Sequence, residues 1–232
     1  MSVYAIADLH LSLAGQNKSM EIFGGRWQDY VNKIEKNWNN IIDGSDSIII
    51  PGDISWGESI DSCKEDFKFL NNKLKGTKYI LKGNHDFWWD TAAKMTRIFE
   101  ENNFDNIKIV YNNAYICENY IICGSRGWFI DMEDAHSQKI LKREAGRLEL
   151  SVQAAKKLNC GGNFEIIAFL HYPPVWNNYV CAEIMEVLER AEIKRCYFGH
   201  IHNIGVQKVK NYKNIDLELI SADYLNFMPV KI

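Results

Sequence analysis

Short segments that combine aspartate, asparagine and histidine recur along the chain and hold five of its six histidines. They are Asp8-Leu9-His10, Gly52-Asp53, Gly83-Asn84-His85-Asp86, His171 and Gly199-His200-Ile201-His202. Carboxylate, imidazole and amide groups without a thiolate suit Mn, Fe, Zn or Co better than a cysteine-rich zinc site or an all-oxygen calcium site. A shared aspartate, for which Asp53 is the natural candidate, could hold two such ions ~3.5–4 Å apart, the spacing used for in-line displacement at phosphorus. The segments therefore predict a site for two divalent metal ions in a hydrolase.

Each segment taken alone has a simpler interpretation. Asp8 and His10 could belong to a helix cap, and residues 84–86 could cap the helix that follows them. Gly52-Asp53 could be an ordinary turn after an apolar run. His171, which precedes two prolines, could be a hydrogen-bonded histidine in a rigid loop. The segment 199–202 is the strongest alone, because alternate residues of an extended segment point the same way. The metal interpretation rests on the whole set.

The elements that must position these residues can be predicted from apolar periodicity. The predicted strands are Val3–Ala7, Ser47–Ile50, Lys78–Leu81, Ile107–Val110, Ala114–Cys117, Tyr120–Cys123, Glu165–Leu170, Arg195–Phe198, Gly205–Val209 and Ile215–Leu219. The predicted helices are Trp27–Ile42, Ile60–Leu74, Trp88–Asn102, Gln138–Leu158 and Cys181–Ala191. Alternating strands and helices in the first hundred residues favour a parallel sheet. The closely spaced strands at 106–123 and 203–220 predict a mixed α/β fold.

Every segment lies where a predicted strand ends. In open α/β sheets the carboxyl ends of the strands face the ligand crevice, so separate segments can converge on one place. This regularity weighs more than any single motif.

Composition, length and net charge limit the classes of protein to which the chain can belong. With 47% hydrophobic and 25% charged residues among 232, the chain resembles an ordinary globular protein, and its length predicts a single domain, residues 1–232. A net charge of −3 gives no electrostatic footprint for nucleic acid, which remains possible only as a substrate.

Features that the sequence lacks indicate the compartment and the partners of the protein. No apolar run approaches the ~18 residues of a membrane span, and the N-terminus looks like a strand and not like a signal peptide. The six scattered cysteines indicate reduced, buried thiols. These features predict a cytoplasmic protein without a membrane partner, and nothing in the sequence indicates an oligomeric state.

The five segments, in this order, resemble the signature of the calcineurin-like metallophosphoesterases, D-x-H, G-D, G-N-H-D/E, H and G-H-x-H. The resemblance extends over residues 8 to 202. It implies a four-layer α/β/β/α sandwich of two mixed sheets flanked by helices, with the dimetal site at the apex of the sheets. It also implies the ligands: Asp8, His10 and His202 for one ion, Asn84, His171 and His200 for the other, and Asp53 between them.

The resemblance further implies a reaction. A hydroxide bridging the two ions would attack the phosphorus of a phosphomonoester or phosphodiester. His85 would steady the phosphoryl oxygens or protonate the leaving group, Asp86 would orient its ring, and Asn84 and His85 would contact the substrate. Trp56 stands where purple acid phosphatases have an iron-binding tyrosine, so an iron-tyrosinate centre is not expected.

Substrate selection is expected from residues outside the signature. Arg126 follows a predicted strand, and we expect it either to contact substrate phosphate or to be a surface arginine in a turn. Loops 11–26, 54–59 and 125–137 would supply further contacts. Glu144, Arg147 and Glu149 are expected on a solvated helix face.

A rival from another class is a catalytically silent metal-binding scaffold or interaction protein on the same fold. Such members typically lack ligands or the non-ligand histidine, whereas all of these positions are filled here. The sequence therefore favours an enzyme.

Overall fold

Two large β-sheets with helices on their outer faces make up the part of the chain that the computed structural model describes, residues 1–15, 19–129 and 135–232. The strands are β1 Val3–Ala5, β2 Ser47–Pro51, β3 Thr77–Leu81, β4 Ile107–Ile109, β5 Tyr115–Cys117, β6 Tyr120–Ser125, β7 Glu165–Leu170, β8 Val175–Trp176, β9 Tyr179–Val180, β10 Arg195–Phe198, β11 Asn211–Tyr212, β12 Ile215–Leu219 and β13 Val230–Lys231. The helices are α1 Tyr30–Ile41, α2 Lys64–Asn72, α3 Ala92–Glu101, α4 Ala135–Leu158 and α5 Ala182–Arg190. Short 3-10 helices occur at Met20–Phe23, Gly25–Trp27 and Asp61–Cys63.

Both sheets are parallel at the centre and antiparallel at an edge. The first sheet has the order β13-β1-β2-β3-β4, and only β13 is antiparallel to its neighbour. The second has the order β11-β12-β10-β7-β6-β5, with β11 and β5 antiparallel. The mixed α/β fold predicted from the sequence is confirmed.

Alternate residues of the central strands face different layers. In β2, Ile48 and Ile50 pack with helices α1, α2 and α3, whereas Ile49 packs against the second sheet. In β7, Phe169 faces the first sheet and Leu170 packs with helices α4 and α5. Because both faces of these strands are covered, they appear in the sequence as continuous apolar runs. The layers therefore stack as α/β/β/α.

The two sheets meet at the carboxyl ends of β1 and β12. Beyond these strands Ala7 and Ser221 form an isolated parallel bridge, in which the Ala7 amide donates to the Ile220 carbonyl at 2.8 Å and the Ala222 amide donates to the Ala7 carbonyl at 2.9 Å. The residues directly after Ala7 and after the other central strands therefore lie at a shared apex.

The predicted strand Gly205–Val209 is wrong. Those residues are irregular, and the edge of β12 is instead joined by the short β11. The buried side chain of Gln207 replaces a backbone ladder, because its Nε2 donates to the carbonyls of Val209 (2.6 Å) and Leu217 (2.8 Å) and its Oε1 accepts the amide of Leu219 (2.8 Å).

Apolar periodicity places the starts of α1, α2 and α3 too early. Helix α1 begins at Tyr30 and not at Trp27, and α2 begins at Lys64 and not at Ile60. A 3-10 helix precedes each of these two starts, and its tighter turn carries similar apolar spacing. Helix α3 begins at Ala92, where the Thr91 hydroxyl accepts the Lys94 amide.

All six cysteines lie in the described residues and are free, and Cys160 is the exposed one. No helix in the described ranges combines the length and apolarity needed to cross a bilayer.

Candidate metal centre

Two groups of carboxylate and imidazole side chains lie at the apex. Asp8, His10 and His202 form one group, and Asp53, His171 and His200 form the other, with the candidate ligand atoms of each group within 4.8 Å of one another. Each group draws residues from both sheets. The structure thus brings together six of the seven predicted ligands in two clusters.

Asn84 and Asp53 connect these groups. The Asn84 side-chain oxygen lies 2.6 Å from His171 Nε2 and 2.9 Å from His200 Nδ1, which places the seventh predicted ligand in the second group. Asp53 Oδ2 lies 3.5 Å from His171 Nε2 and 3.7 Å from His10 Nε2. The Asp53 carboxylate therefore faces both groups.

Strained backbone presents these side chains. Asp8, His10, Asp53 and His200 have φ angles of 60°, 46°, 52° and 72°. Non-glycine residues rarely adopt this left-handed region, and such strain persists where surrounding structure fixes it and a function uses it. Four candidate ligands share this unusual conformation.

Glycines allow the segments to approach one another closely. A Cβ atom added to Gly83 would lie 2.1 Å from Asp53 Oδ1, and one added to Gly199 would lie 2.5 Å from Asp8 Oδ2. Both distances are too short for any side chain. The glycines of the G-N-H-D and G-H-x-H segments are therefore required for packing.

Hydrogen bonds outside the two groups fix the orientation of two histidines. His171 Nδ1 contacts the Pro51 carbonyl at 3.1 Å, which directs Nε2 towards Asn84 and Asp53. His202 Nδ1 lies 2.8 Å from Asp223 Oδ1, and Asp223 Oδ2 accepts the Asn203 amide at 2.8 Å. A carboxylate behind a metal-ligating histidine fixes its tautomer and raises its basicity.

Asp223 is not predicted from the sequence, because no signature segment includes it. It is fully buried and follows β12 by a few residues. A buried aspartate beyond the end of a central strand is the signal that could have identified it.

The donor atoms fit divalent cations. His10 Nε2 and His202 Nε2 face each other at 3.2 Å, an arrangement in which two lone pairs repel unless a proton or a cation lies between them. Asp8 Oδ1 and His10 Nδ1 are buried without a hydrogen-bond partner in the described residues. Buried polar atoms are normally paired, so these need a further partner.

Burial sets the charge states of the cluster. It lowers the pKa of His10 and of His171 well below the usual value, with neighbouring histidines adding to the effect. Burial and nearby His202 lower the pKa of His200 to about 4. Neutral imidazole is the form that binds metals, so these residues are ready ligands at neutral pH.

Metal affinity is expected to fall in acid, because burial raises the pKa of the Asp8 carboxyl to about 6. A proton competes with a cation for a carboxylate, so affinity should decrease as the pH falls through that value. Burial opposes protonation of His202, but its hydrogen bond to Asp223 raises the net pKa of the ring above the usual value, so loss of that proton should increase affinity further at higher pH. Calorimetric titration of the protein with Mn²⁺ from about pH 5 to pH 8 measures this. A constant affinity over that range would contradict it.

A cavity of about 270 Å³ opens over both groups. Its lining residues are His10, Met20, Phe23, Asp53, Trp56, His85, His200, His202 and Asn203. The His85 amide donates to Asp53 Oδ1 at 2.8 Å, and the His85 ring packs against Trp56 at 4.3 Å between centroids. His85 therefore faces the space beside the metal-ligand groups.

Asp86 does not orient the His85 ring as expected. Its buried carboxylate accepts five N–H groups, from the amides of Asp53, Ile54, Ser55 and Gly83 and from the indole of Trp88, at 2.7–3.3 Å. No contact with the His85 ring occurs among its hydrogen bonds in the described residues. Asp86 instead holds the Asp53 loop and the Gly83 loop together.

Arg126 takes part in a buried ion pair and does not line the cavity over the ligand groups. Its guanidinium pairs with Glu144 at 3.3 Å, and Arg147 contacts the same carboxylate oxygen at 2.6 Å. Glu144 is fully buried, so its predicted place on a solvated face is wrong. The Arg126 carbonyl accepts the amides of His171 and Tyr172, and this backbone contact supports the metal-ligand group.

The structure describes only part of the loops that are expected to contact the substrate. Residues 54–59 are described, whereas residues 16–18 and 130–134, from loops 11–26 and 125–137, lie outside the described residues. His136, the histidine outside the signature, is exposed near the start of α4.

This chain is similar in sequence and in fold to known proteins. The sequence model of one protein family, calcineurin-like phosphoesterase, matches residues 1–203. The crystal structure of TT1561 of Thermus thermophilus has a TM-score of 0.59 at 13% identity, over 99% of this chain and 97% of that one. The protein of unknown function AQ665 from Aquifex aeolicus has a TM-score of 0.48 at 16% identity, over 99% and 95%. A search of curated proteins gives no significant match.

Proposed function

Because this chain belongs to the calcineurin-like phosphoesterase family, we propose that it is an enzyme that hydrolyses a phosphomonoester or phosphodiester with two divalent cations. The observation that carries the proposal is the pair of ligand groups at the apex, with the Asp53 carboxylate facing both. Isolated metal sites can be structural, but two adjoining sites sharing a carboxylate are suited to displacement at phosphorus.

The family signature and the geometry support one assignment of ligands. Asp8, His10 and His202 would hold one cation, Asn84, His171 and His200 the other, and Asp53 would contact both. The mixed oxygen and nitrogen donors suit Mn, Fe, Zn or Co.

When bound, the cations supply positive charge for the phosphoryl oxygens and a hydroxide for attack at phosphorus. The protein positions the other groups. His85 is held by its backbone bond to Asp53 and by packing on Trp56. Burial lowers its pKa, so the ring is neutral near pH 7 and keeps one N–H that can be donated to a phosphoryl oxygen or to the leaving oxygen.

Hydrolysis of paired chromogenic esters tests the proposal. Metal-stripped protein would be assayed with p-nitrophenyl phosphate and bis-p-nitrophenyl phosphate after addition of Mn, Fe, Zn, Co or Mg singly. Turnover that depends on metal supports the enzyme, and the ratio of the two rates distinguishes monoesterase from diesterase. Metal binding without turnover of either ester would favour the scaffold protein.

His85→Ala is expected to lower turnover by at least about a hundredfold, the usual contribution of a positioned proton donor. Metal affinity should stay unchanged, because His85 belongs to neither ligand group. His136→Ala is the matched control, since that histidine is exposed on α4. Equal turnover in the two variants would show that His85 takes no part in the reaction.

A further inference from the structure

One wall of the cavity over the ligand groups is apolar. Met20, Phe23 and Trp56 line it beside the histidines, and none of its lining residues in the described ranges is lysine or arginine. Sites for nucleotides or other polyphosphates normally bring cationic side chains to the additional phosphates. This wall instead suits an uncharged organic group attached to the single phosphoryl group that the metal-ligand groups would take.

Phe23 is exposed on a segment that is otherwise anchored. Its side chain is 64% exposed, yet it ends a 3-10 helix whose first residue, Met20, is buried. The Glu21 carboxylate accepts the Asp29 amide at 2.8 Å, and Arg26 donates to the Ile204 carbonyl at 3.0 Å beside the G-H-x-H segment.

Trp27 completes this anchoring. It is buried and packs edge-on against His10 and His202 at 5.9 Å and 5.6 Å between ring centroids. These contacts hold the backbone segment that carries Phe23 beside the ligand groups. An aromatic ring held in water at the wall of a cavity offers a large apolar face to a ligand.

A second exposed ring lies on the His85 side. Phe87 is 62% exposed, and its ring meets the His85 ring edge-on at 6.1 Å between centroids. The Phe87 amide donates to the His85 carbonyl at 2.8 Å, which keeps the ring close to His85. Exposed aromatic surface is thus present beside the residue proposed to contact the leaving group.

Building on the proposed function, we infer that the substrate is a phosphoric ester whose alcohol part carries an aromatic ring, and that Phe23 determines this preference. The phosphoryl group lies at the ligand groups while the ring of the substrate packs against Phe23 in the cavity. Water leaves both apolar faces when they meet, which favours aromatic esters over small polar ones. Phe87 offers a second exposed ring beside His85.

Binding of two phosphonates tests the inference without requiring turnover. Calorimetry on Mn²⁺-loaded protein would compare phenylphosphonate with methylphosphonate, which share the anionic group and differ in the ring. We expect phenylphosphonate to bind about tenfold more tightly or better, the discrimination usual for an apolar contact. Phe23→Ala should reduce the ratio to about threefold or less.

Ile22→Ala is the matched control. Ile22 precedes Phe23 in the same 3-10 helix and is 75% exposed, but it does not line the cavity. This variant should keep the wild-type ratio, which separates the effect of the Phe23 ring from a disturbance of the segment. Equal affinity of the two phosphonates for the wild-type protein, or an unchanged ratio in Phe23→Ala, would overturn the inference.

Hydrolysis assays distinguish a failure of this inference from a failure of the proposed function. If phenyl phosphate and glycerol 3-phosphate are both hydrolysed and kcat/KM does not favour the phenyl ester, the inferred preference for an aromatic ring is wrong. The proposed phosphoesterase function would still be supported. If phenylphosphonate binds preferentially through Phe23 but no ester is hydrolysed with any metal, the proposed function fails. The binding of an aromatic ring by Phe23 would still be supported.

Discussion

Asp53→Asn is expected to lower phosphoester hydrolysis by about a thousandfold or more, equivalent to about 4 kcal/mol of transition-state stabilisation. The Asp53 carboxylate faces both ligand clusters, since its Oδ2 lies 3.7 Å from His10 Nε2 and 3.5 Å from His171 Nε2. Asparagine removes the negative charge and turns an amide nitrogen towards one of these partners. Both cations should therefore bind more weakly in the variant.

Steady-state kinetics and metal content measured on the same preparation check this result. Asp46→Asn is the control, because Asp46 is also buried and lies just before the other end of β2, where its carboxylate accepts the amides of Ser2 and Asp43. The control should retain activity and metal. Residual turnover equal to the wild type in Asp53→Asn would point to a contaminating phosphatase, and the proposed function would lose its support.

Asp86→Ala is expected to lower the free energy of unfolding by about 3–5 kcal/mol, as loss of one partner in a buried charged network does. Five N–H donors converge on this carboxylate, and alanine leaves all of them buried without an acceptor. For a chain of this length the change corresponds to a decrease in Tm of about 6–20 °C. Asp86→Asn should be destabilised as well, because its amide nitrogen would face donors.

Thermal and urea unfolding of metal-free protein measure this effect separately from metal binding. Asp90→Ala serves as the comparison, since Asp90 lies in the next turn, is exposed and pairs with Lys94 at the surface. Exposed pairs contribute about 1 kcal/mol or less. If Asp86→Ala unfolded at the same temperature as Asp90→Ala, the role of Asp86 in joining the two loops would be wrong.

The location of the site is predictable because it follows from a local rule. Parallel strands end at one edge of a sheet, and each signature segment comes directly after an apolar run, so Asp8, Asp53 and Asn84 lie at one sheet edge and His171 and His200 at an edge of the other sheet. No contact needs to be known for that conclusion. The layering is implied by the family resemblance, and the alternating packing of Ile48 and Ile49 confirms it.

The failures concern partners that are distant in sequence. Asp86 is adjacent to His85 in the chain, yet its carboxylate turns to amides of the Asp53 loop about 30 positions earlier. An arginine after a strand suits phosphate, but the pairing of Arg126 with Glu144 depends on how α4 packs on β6. Sequence pattern gives the end of a strand but not the direction of each side chain beyond it.

The prediction of a strand at 205–209 fails for a related reason. The two valines there suit a strand, but Gln207 is buried and its side-chain amide makes the hydrogen bonds that a neighbouring strand would otherwise make. A side chain that replaces backbone hydrogen bonds leaves no periodic signal.

Each candidate metal group takes residues from both sheets, and this has a consequence for the lifetime of the folded state. His10 and His202 are 192 positions apart in the chain, so a cation held by both would act as a reversible cross-link that closes a very long loop. The sheets could then separate only after the cation dissociated. The rates of unfolding and of proteolysis would then be limited by the rate of metal dissociation. The cations proposed to act in the reaction would therefore also slow the separation of the two sheets.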